Sequence, residues 1–117
     1  MKKVFYLSTC STCQRILKEL NDVNFNIQDI KTQPITEQQI QQMYKYTSSY
    51  EALFNKRAIK YKSRGLKDKK LSEKNYKDLI KEEYTFLKRP VFIIGDDIFV
   101  GNSKKTIEAV KNSLNNE

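Results

Sequence analysis

The chain carries only two cysteines, Cys10 and Cys13, and two residues separate them in a C-x-x-C motif. A short apolar segment at residues 3–7 comes just before the motif and predicts a buried β-strand. Apolar residues recur at helical spacing after the motif and predict an α-helix from residue 11 to about residue 21. A C-x-x-C motif at the junction of a strand and a helix is typical of redox-active thiols, which restricts both the fold and the chemistry of this chain.

The position of Cys10 at the start of the predicted helix indicates that it is the more reactive thiol. A thiol reacts as its thiolate, and the helix dipole with its free backbone N–H groups stabilises an anion there. We therefore expect a lowered pKa and a nucleophilic role for Cys10. Cys13 lies about one helical turn further on, where it can attack a mixed disulfide formed at Cys10, and the Thr12 hydroxyl can donate to the sulfur. The alternative, two ordinary small core residues, is disfavoured by the position at the junction.

The first thirty residues predict strand, helix and strand. The second strand, near residues 25–30, has the alternation of a half-buried edge strand, with Phe25 and Ile27 separated by polar residues. A crossover of this kind joins parallel strands of one sheet. Thr36 and Gln39 then form a capping box at the start of a second helix.

Further helices and a hairpin complete the predicted order βαβ, helices, ββα. A short helix is predicted at residues 50–54, a charged loop at 64–70 and a capped helix at 72–80. A β-hairpin follows at residues 91–100 and a final helix at 103–114. A turn at residues 95–97 joins the two strands of the hairpin. A chain of 117 residues is long enough for one core and too short for two, so we expect a single domain over residues 1–117.

Composition narrows the class of protein. Hydrophobic residues make up 38% of the chain, which suffices for a globular core. No apolar run approaches the ~20 residues of a membrane span, and the first residues lack the long apolar segment of a signal peptide, so we expect a cytoplasmic protein. The sequence contains no histidine, which excludes Cys-His catalysis, and two thiolates alone cannot complete a tetrahedral zinc site within one chain. We therefore expect no metal.

The net charge of +8 is compatible with an anionic partner or with a solvated basic surface. Tyr61 and Tyr76 lie in or near the densest run of basic residues. This run comprises Lys60, Lys62, Arg64, Lys67, Lys69 and Lys70. No RNA-binding signature accompanies it, so direct nucleic-acid binding is not expected.

Three arginines, Arg15, Arg57 and Arg89, are candidates for binding an anion near Cys10. A guanidinium group donates two parallel hydrogen bonds to an oxyanion. Each could instead be an ordinary solvated charge. Arg15 lies in a run of helix surface, which favours the solvated charge, and for Arg57 the two interpretations are equally favoured. Arg89 is held next to Pro90, which favours a functional role. The sequence leaves the isomer of the Arg89–Pro90 bond open, although its position after a helix and before a strand raises the odds of cis above the ~5–6% typical of X-Pro bonds.

Together these features resemble the arsenate reductase and Spx family of thioredoxin-fold proteins over nearly the whole chain. The resemblance rests on C-S-T-C at residues 10–13, K-T-Q-P at 31–34, N-K-R at 55–57, L-K-R-P-V at 87–91 and V-G at 100–101. The family has a glutaredoxin-like core with a helical insertion. The resemblance therefore implies an α/β, thioredoxin/glutaredoxin-like fold with a mixed four-stranded sheet and a helical insertion.

The resemblance also implies that Cys10 is the catalytic cysteine and that Arg89 binds an oxyanion. The glutaredoxin-coupled arsenate reductases have arginines at the positions of Gln14 and Asn102 and a serine at the position of the second cysteine. Spx-type regulators share the C-x-x-C motif but have an arginine at the Gln14 position and, near Ser49, a glycine that contacts RNA polymerase. This chain departs from both branches at these positions.

Two functions follow as hypotheses. The first is an enzyme, an arsenate-reductase-like thiol–disulfide oxidoreductase that is weak or inactive on arsenate. It would act on a small oxyanion or thiol with no bound cofactor, and glutathione with glutaredoxin, or thioredoxin, would be the reductant and redox partner. The assigned residues are Cys10 and Cys13 for catalysis, Arg89, Arg57 and Thr12 for anion binding, and Pro90 for the structure of the site. The second is an Spx-type redox-sensing regulator, in which the disulfide is a switch and the basic surface binds RNA polymerase.

Overall fold

A computed structural model describes residues 2–20 and 23–115, which fold into two compact units. The first unit is formed within residues 1–33 and 89–117, and the second within residues 34–88. The second unit is thus inserted in sequence between two halves of the first, as the helical insertion predicts. The single domain over residues 1–117 stays a prediction.

The first unit begins with strand β1 (Lys2–Tyr6), helix α1 (Ser11–Glu19) and strand β2 (Asn26–Asp29). Strands β1 and β2 pair in parallel, with Val4 opposite Ile27. The predicted strand–helix–strand order with parallel strands is therefore confirmed. Residue 21, where the first helix was expected to end, lies outside the described residues.

The remaining elements of this unit are strand β3 (Val91–Ile94), strand β4 (Asp97–Val100) and helix α5 (Lys104–Asn115). The sheet has the order β2-β1-β3-β4, and β3 is antiparallel to both of its neighbours. The predicted mixed four-stranded sheet is thus confirmed. The hairpin turn is shorter than predicted, because Asp97 pairs with Ile94 and belongs to β4. Gly95 begins the turn with a φ of +59°, a conformation that glycine adopts without strain.

The core of the first unit packs α1 and α5 against the sheet. Alternate strand residues point to one face of a sheet, and this places Val4 beside Phe92 on the buried side. Phe25 packs on Phe92 with ring centroids 5.5 Å apart. The buried members of this core are Val4, Ile16, Leu20, Phe92, Ile94, Ile107 and Val110.

Strand β2 differs from the alternation that the sequence predicts. Ile27 is 52% exposed, whereas Gln28 is buried with 5% exposure. The side-chain amide of Gln28 donates to the Gln33 carbonyl at 2.9 Å, which satisfies a polar group that would otherwise be costly to bury. The prediction of an edge strand is confirmed. The prediction that Ile27 lies on the buried side of this strand was wrong.

The second unit contains helices α2 (Glu37–Thr47), α3 (Ile59–Ser63) and α4 (Glu73–Glu82). Capping boxes begin α2 at Thr36 and α4 at Ser72. Short 3-10 turns lie at Glu51–Leu53, Leu66–Asp68 and Tyr84–Phe86. The short helix expected at residues 50–54 is one of these turns. Helix α3 was not predicted from the sequence. Its Ile59 is exposed, so the helix does not show the apolar pattern of a helix packed on one face.

The aromatic core of the second unit is centred on Phe54. Its ring packs on Tyr61 at 5.6 Å and on both Tyr76 and Phe86 at 5.0 Å between centroids. Phe54 also forms an antiparallel bridge with Leu87. In residues 2–20 and 23–115, no helix combines the length and apolar character needed to cross a membrane.

Candidate active site

Cys10 lies in the loop between β1 and α1 and is the residue immediately before the first turn of α1. It has an extended backbone, with φ −92° and ψ 113°. Its N–H donates to the Leu7 carbonyl at 3.0 Å, and its carbonyl accepts from the Gln14 N–H at 3.1 Å. These bonds fix the sulfur of Cys10 at the N-terminal end of α1, where the helix favours negative charge.

The surroundings of Cys10 favour its thiolate. Partial burial works to raise the pKa of the Cys10 thiol, but hydrogen bonds from the backbone and side chain of Cys13 lower it. The charge of Arg89 and the backbone N–H of Thr12 lower it further. The net result is a Cys10 pKa below its ordinary value, which increases the thiolate fraction at neutral pH.

Cys13 has the opposite character. Its side chain is completely buried, and this desolvation, with the neighbouring Cys10, raises the pKa of Cys13 to about 11 against lowering contributions from the Leu7 backbone and Arg89. Both cysteines are free thiols in this structure, and their side chains share a hydrogen bond. The pair therefore combines a partly exposed thiol of lowered pKa with a buried thiol that keeps its proton.

Arg89 and Pro90 lie at the entrance to β3, the strand that pairs with β1. The bond between them is cis, which decides the isomer that the sequence left open. Pro90 is buried, and its carbonyl accepts from the Gly101 N–H at 2.9 Å. Arg89 is half-buried and its charge acts on both cysteines. The structure thus groups Arg89 with the C-x-x-C motif in the first unit.

Arg57 and Arg15 are in different surroundings. Arg57 belongs to the second unit, where it is exposed and its backbone N–H donates to the Asn55 side-chain oxygen at 3.0 Å. Its role in anion binding stays a prediction. Arg15 is exposed and forms an ion pair with Glu19 at 2.9 Å one turn along α1, as expected for a helix-surface charge.

Asp29 holds the loop that leads to Cys10 and was not among the predicted site residues. One carboxylate oxygen of Asp29 accepts from the backbone N–H groups of Ser8, at 3.2 Å, and of Lys31, at 3.1 Å. Desolvation works to raise the pKa of Asp29, but a hydrogen bond from the Ser8 side chain, together with these two backbone bonds, keeps it below its usual value. Asp29 ends β2 directly beside Tyr6 of β1, so an acidic residue at the carboxyl end of a parallel strand was the available signal.

Gln14 also stabilises this loop. Its side-chain amide donates to the carbonyl of Ser8, the residue whose N–H is bound by Asp29. Asn102, at the second position where the arsenate-reducing branch has an arginine, is exposed. Within the described part of the chain, no three Cys, Asp or Glu side chains are grouped as a metal site would require.

We expect Arg89→Ala to weaken the binding of sulfate, phosphate or arsenate near Cys10 by about tenfold or more. Loss of a charge-assisted hydrogen bond typically costs ~1.5–3 kcal/mol. The substitution should also raise the pKa of Cys10, because the arginine charge lowers it. Protection of Cys10 from alkylation by added anion measures the first effect, and the pH profile of alkylation measures the second. Arg15→Ala is the matched control, and equal behaviour of the two variants would contradict a role for Arg89.

Comparison with known proteins agrees with this architecture. The family model described as the ArsC family matches residues 5–110. A Streptococcus mutans protein described as a possible arsenate reductase is 26% identical, covering 95% of this chain and 98% of its own, with a TM-score of 0.76. A Staphylococcus aureus protein determined by NMR is also 26% identical, covering 93% and 97%, with a TM-score of 0.76.

A more distant structure shows the same fold. The arsenate reductase from Vibrio cholerae is 13% identical, and the match covers 94% of this chain and 95% of that one with a TM-score of 0.76. No curated protein matches the chain significantly by sequence. The predicted α/β, thioredoxin-like fold is confirmed by the sheet and by these neighbours.

Proposed function

Because the chain belongs to the ArsC family, we propose that it is an arsenate-reductase-like thiol–disulfide oxidoreductase that acts through Cys10 and Cys13. The observation that supports this most directly is the contrast between the two thiols. Cys10 is partly exposed with a lowered pKa, and the buried Cys13 has a raised pKa and a hydrogen bond to Cys10. A nucleophile and a resolving thiol need this division of roles.

In the first step, the Cys10 thiolate attacks one sulfur of a disulfide substrate. The substrate S–S bond breaks, its second sulfur leaves as a thiolate that takes a proton from solvent, and Cys10 is left in a mixed disulfide. Cys13 remains protonated at this stage because its pKa is near 11. This order prevents the buried thiol from competing for the substrate.

In the second step, Cys13 attacks the sulfur of Cys10. The negative Cys10 sulfur contributes to the raised pKa of Cys13, so conversion of Cys10 into a neutral mixed disulfide removes that contribution. Cys13 can then lose its proton more readily. Its attack forms the Cys10–Cys13 disulfide and releases the second substrate thiol, so two electrons have passed to the substrate. Two thiols of glutathione, glutaredoxin or thioredoxin would return the protein to its reduced form in the cytoplasm.

The substrate class we propose is a small thiol-derived disulfide or an oxyanion. Arg89 is the anion-binding group best supported by position, because its charge reaches both sulfurs. Thr12 contributes its backbone N–H to Cys10, whereas the part of its hydroxyl and that of Arg57 in binding an anion remain proposals from the sequence. Pro90 would shape the site beside Arg89.

The test is oxidation by glutathione disulfide followed by mass spectrometry. Wild-type protein is expected to become a monomer lighter by two hydrogen atoms, with Cys10 joined to Cys13. Cys13→Ser is expected to accumulate a glutathione adduct on Cys10, because the resolving thiol is gone. Cys10→Ser is the matched control and should accumulate much less adduct, since Cys13 is buried with a high pKa. Oxidation to intermolecular dimers alone would contradict the resolving role.

A redox-sensing regulator remains the alternative, and the shared C-x-x-C motif supports it equally. In that case the disulfide would alter binding to RNA polymerase rather than complete a reaction. Ser49 stands near the position where such regulators have a glycine, which weakens this alternative. Measuring the binding of purified RNA polymerase to the reduced and to the oxidised protein distinguishes the two functions. A regulator requires the two redox forms to bind differently, whereas an oxidoreductase requires no such difference.

A further inference from the structure

Nearly all of the net charge of this protein lies in one short segment of the second unit, residues 56–70, which we call the basic segment. It contains eight Lys and Arg residues and a single acidic residue, Asp68, which gives +7 in fifteen residues. The rest of the chain has fourteen basic and thirteen acidic residues, which gives +1. The excess of positive charge is therefore concentrated in the basic segment and is not spread evenly along the chain.

Carboxylates from flanking elements neutralise only part of this charge. Lys56 pairs with Glu51 at 2.5 Å, Lys60 with Glu83, and Arg64 with Glu82 at 3.1 Å. Five basic side chains form no ion pair with any of the residues that the structure describes. These are Arg57, Lys62, Lys67, Lys69 and Lys70, all of them exposed. Their charge is available to a partner.

An exposed aliphatic side chain lies among these charges. Ile59, the first residue of α3, is 86% exposed, the highest value among the large hydrophobic residues that are exposed. Lys62 is three positions along the same helix, so the two side chains are neighbours on its surface. Elsewhere in the second unit the hydrophobic residues of the helices are largely packed, as Ile40, Met43 and Ile80 are. The basic segment thus offers positive charge and an apolar contact together.

The aromatic residues of this region are not available for stacking on nucleotide bases. Tyr61 and Tyr76 both pack edge-on against Phe54, and Tyr76 is buried with 7% exposure. Single-stranded nucleic acids are usually held by exposed aromatic rings in a positive groove. Phosphate groups also offer nothing to an aliphatic side chain such as Ile59. The combination therefore favours a polypeptide over a nucleic acid.

We propose that the basic segment is a docking surface for an acidic polypeptide segment that carries an aliphatic residue. The carboxylates would lie against Lys62, Lys67 and Lys69, and the aliphatic side chain would cover Ile59. Charge complementarity would accelerate association, and the apolar contact would select among acidic sequences. This surface is separate in sequence from the C-x-x-C motif, and the proposal does not depend on the redox function.

The test uses fluorescence anisotropy with three labelled probes at physiological salt. The first is a twelve-residue peptide rich in Asp and Glu with one central Leu, the second has Ser in place of that Leu, and the third is a single-stranded oligonucleotide of equal charge. We expect the Leu peptide to bind about tenfold more tightly than the Ser peptide, because an aliphatic side chain is covered. Tightest binding to the oligonucleotide, or equal binding of the two peptides, would overturn the proposal.

Variants locate the surface. Ile59→Ser should remove the preference for the Leu peptide and leave the affinity for the Ser peptide unchanged. The double variant Lys62→Glu with Lys69→Glu should weaken the binding of both peptides by about tenfold or more. The matched control is Lys104→Glu with Lys105→Glu, which makes the same change of net charge at exposed positions in the first turn of α5. If this control weakens binding as much as the first pair, the attraction is non-specific and the proposal fails.

Discussion

Iodoacetamide at neutral pH is expected to label Cys10 at least about tenfold faster than Cys13. The raised pKa of Cys13, near 11, leaves only a minute thiolate fraction, whereas the lowered pKa of Cys10 favours its thiolate. A pKa near 11 by itself reduces the thiolate fraction of Cys13 at neutral pH by about a hundredfold or more relative to an ordinary thiol, and the lowered pKa of Cys10 widens the difference. The more basic Cys13 thiolate is intrinsically the stronger nucleophile, which offsets about tenfold of this difference in ionisation. The complete burial of Cys13 slows its alkylation again. Peptide mass spectrometry at short reaction times measures the ratio.

The same reaction in a denaturant provides the control. In the unfolded chain neither helix α1 nor the buried environment of Cys13 exists, so the two cysteines should react at similar rates. In the folded protein the labelling rate of Cys10 should level off at a lower pH than that of an unperturbed thiol, because its pKa is lowered. Equal rates in the folded protein, or faster labelling of Cys13, would refute the assignment of Cys10 as the nucleophile.

Turnover of arsenate with glutathione and glutaredoxin is expected to be at least about 10²–10³-fold slower than that of a dedicated arsenate reductase. Arsenate is a multiply charged oxyanion, and the loss of one fixed oxyanion donor typically costs that factor in rate. Gln14 and Asn102 stand where the arsenate-reducing branch has arginines, and the Gln14 amide is already bound to the Ser8 carbonyl. Arg15 follows Gln14 about 100° further around the axis of α1 and pairs with Glu19 on the exposed surface, so it is not placed to replace them.

The assay follows NADPH consumption through glutathione reductase, with the arsenate reductase from Vibrio cholerae as the positive control. Cys10→Ser supplies the background rate. The thiol reaction with glutathione disulfide should still proceed in the wild-type protein, because it requires the two cysteines and not the missing arginines. Arsenate turnover close to that of the positive control would contradict this prediction and identify a true arsenate reductase.

Local patterns were sufficient for much of the fold and for the centre of the site. The strand before the motif, helix α1, the capping box at Thr36, the capped start of α4 and the two strands after Pro90 were all predicted. They follow from apolar periodicity, cap residues and turn residues, which act over a few positions. The same local logic placed Cys10 at a helix start. Each of these features depends on neighbours in sequence, so the sequence alone determines it.

Features that depend on distant residues required the tertiary structure. Gln28 is buried and Ile27 exposed because the chain returns through residues 29–33 and supplies the Gln33 carbonyl, which no strand pattern encodes. The raised pKa of Cys13 depends on burial and on Cys10, and the Arg89 charge reaches both sulfurs because β3 pairs with β1.

The contacts of Asp29 and of the basic segment could not be predicted from the sequence either. The carboxylate of Asp29 binds the Ser8 loop only because parallel pairing brings the ends of β2 and β1 together. The charge of the basic segment could be counted in the sequence, but its three ion pairs, the exposure of Ile59 and the packing of Tyr61 on Phe54 could not. Sequence therefore determined which chemical groups this protein has and the elements that carry them. The tertiary structure decided which groups are buried, paired or accessible, because burial and electrostatic interaction depend on distances in space and not along the chain.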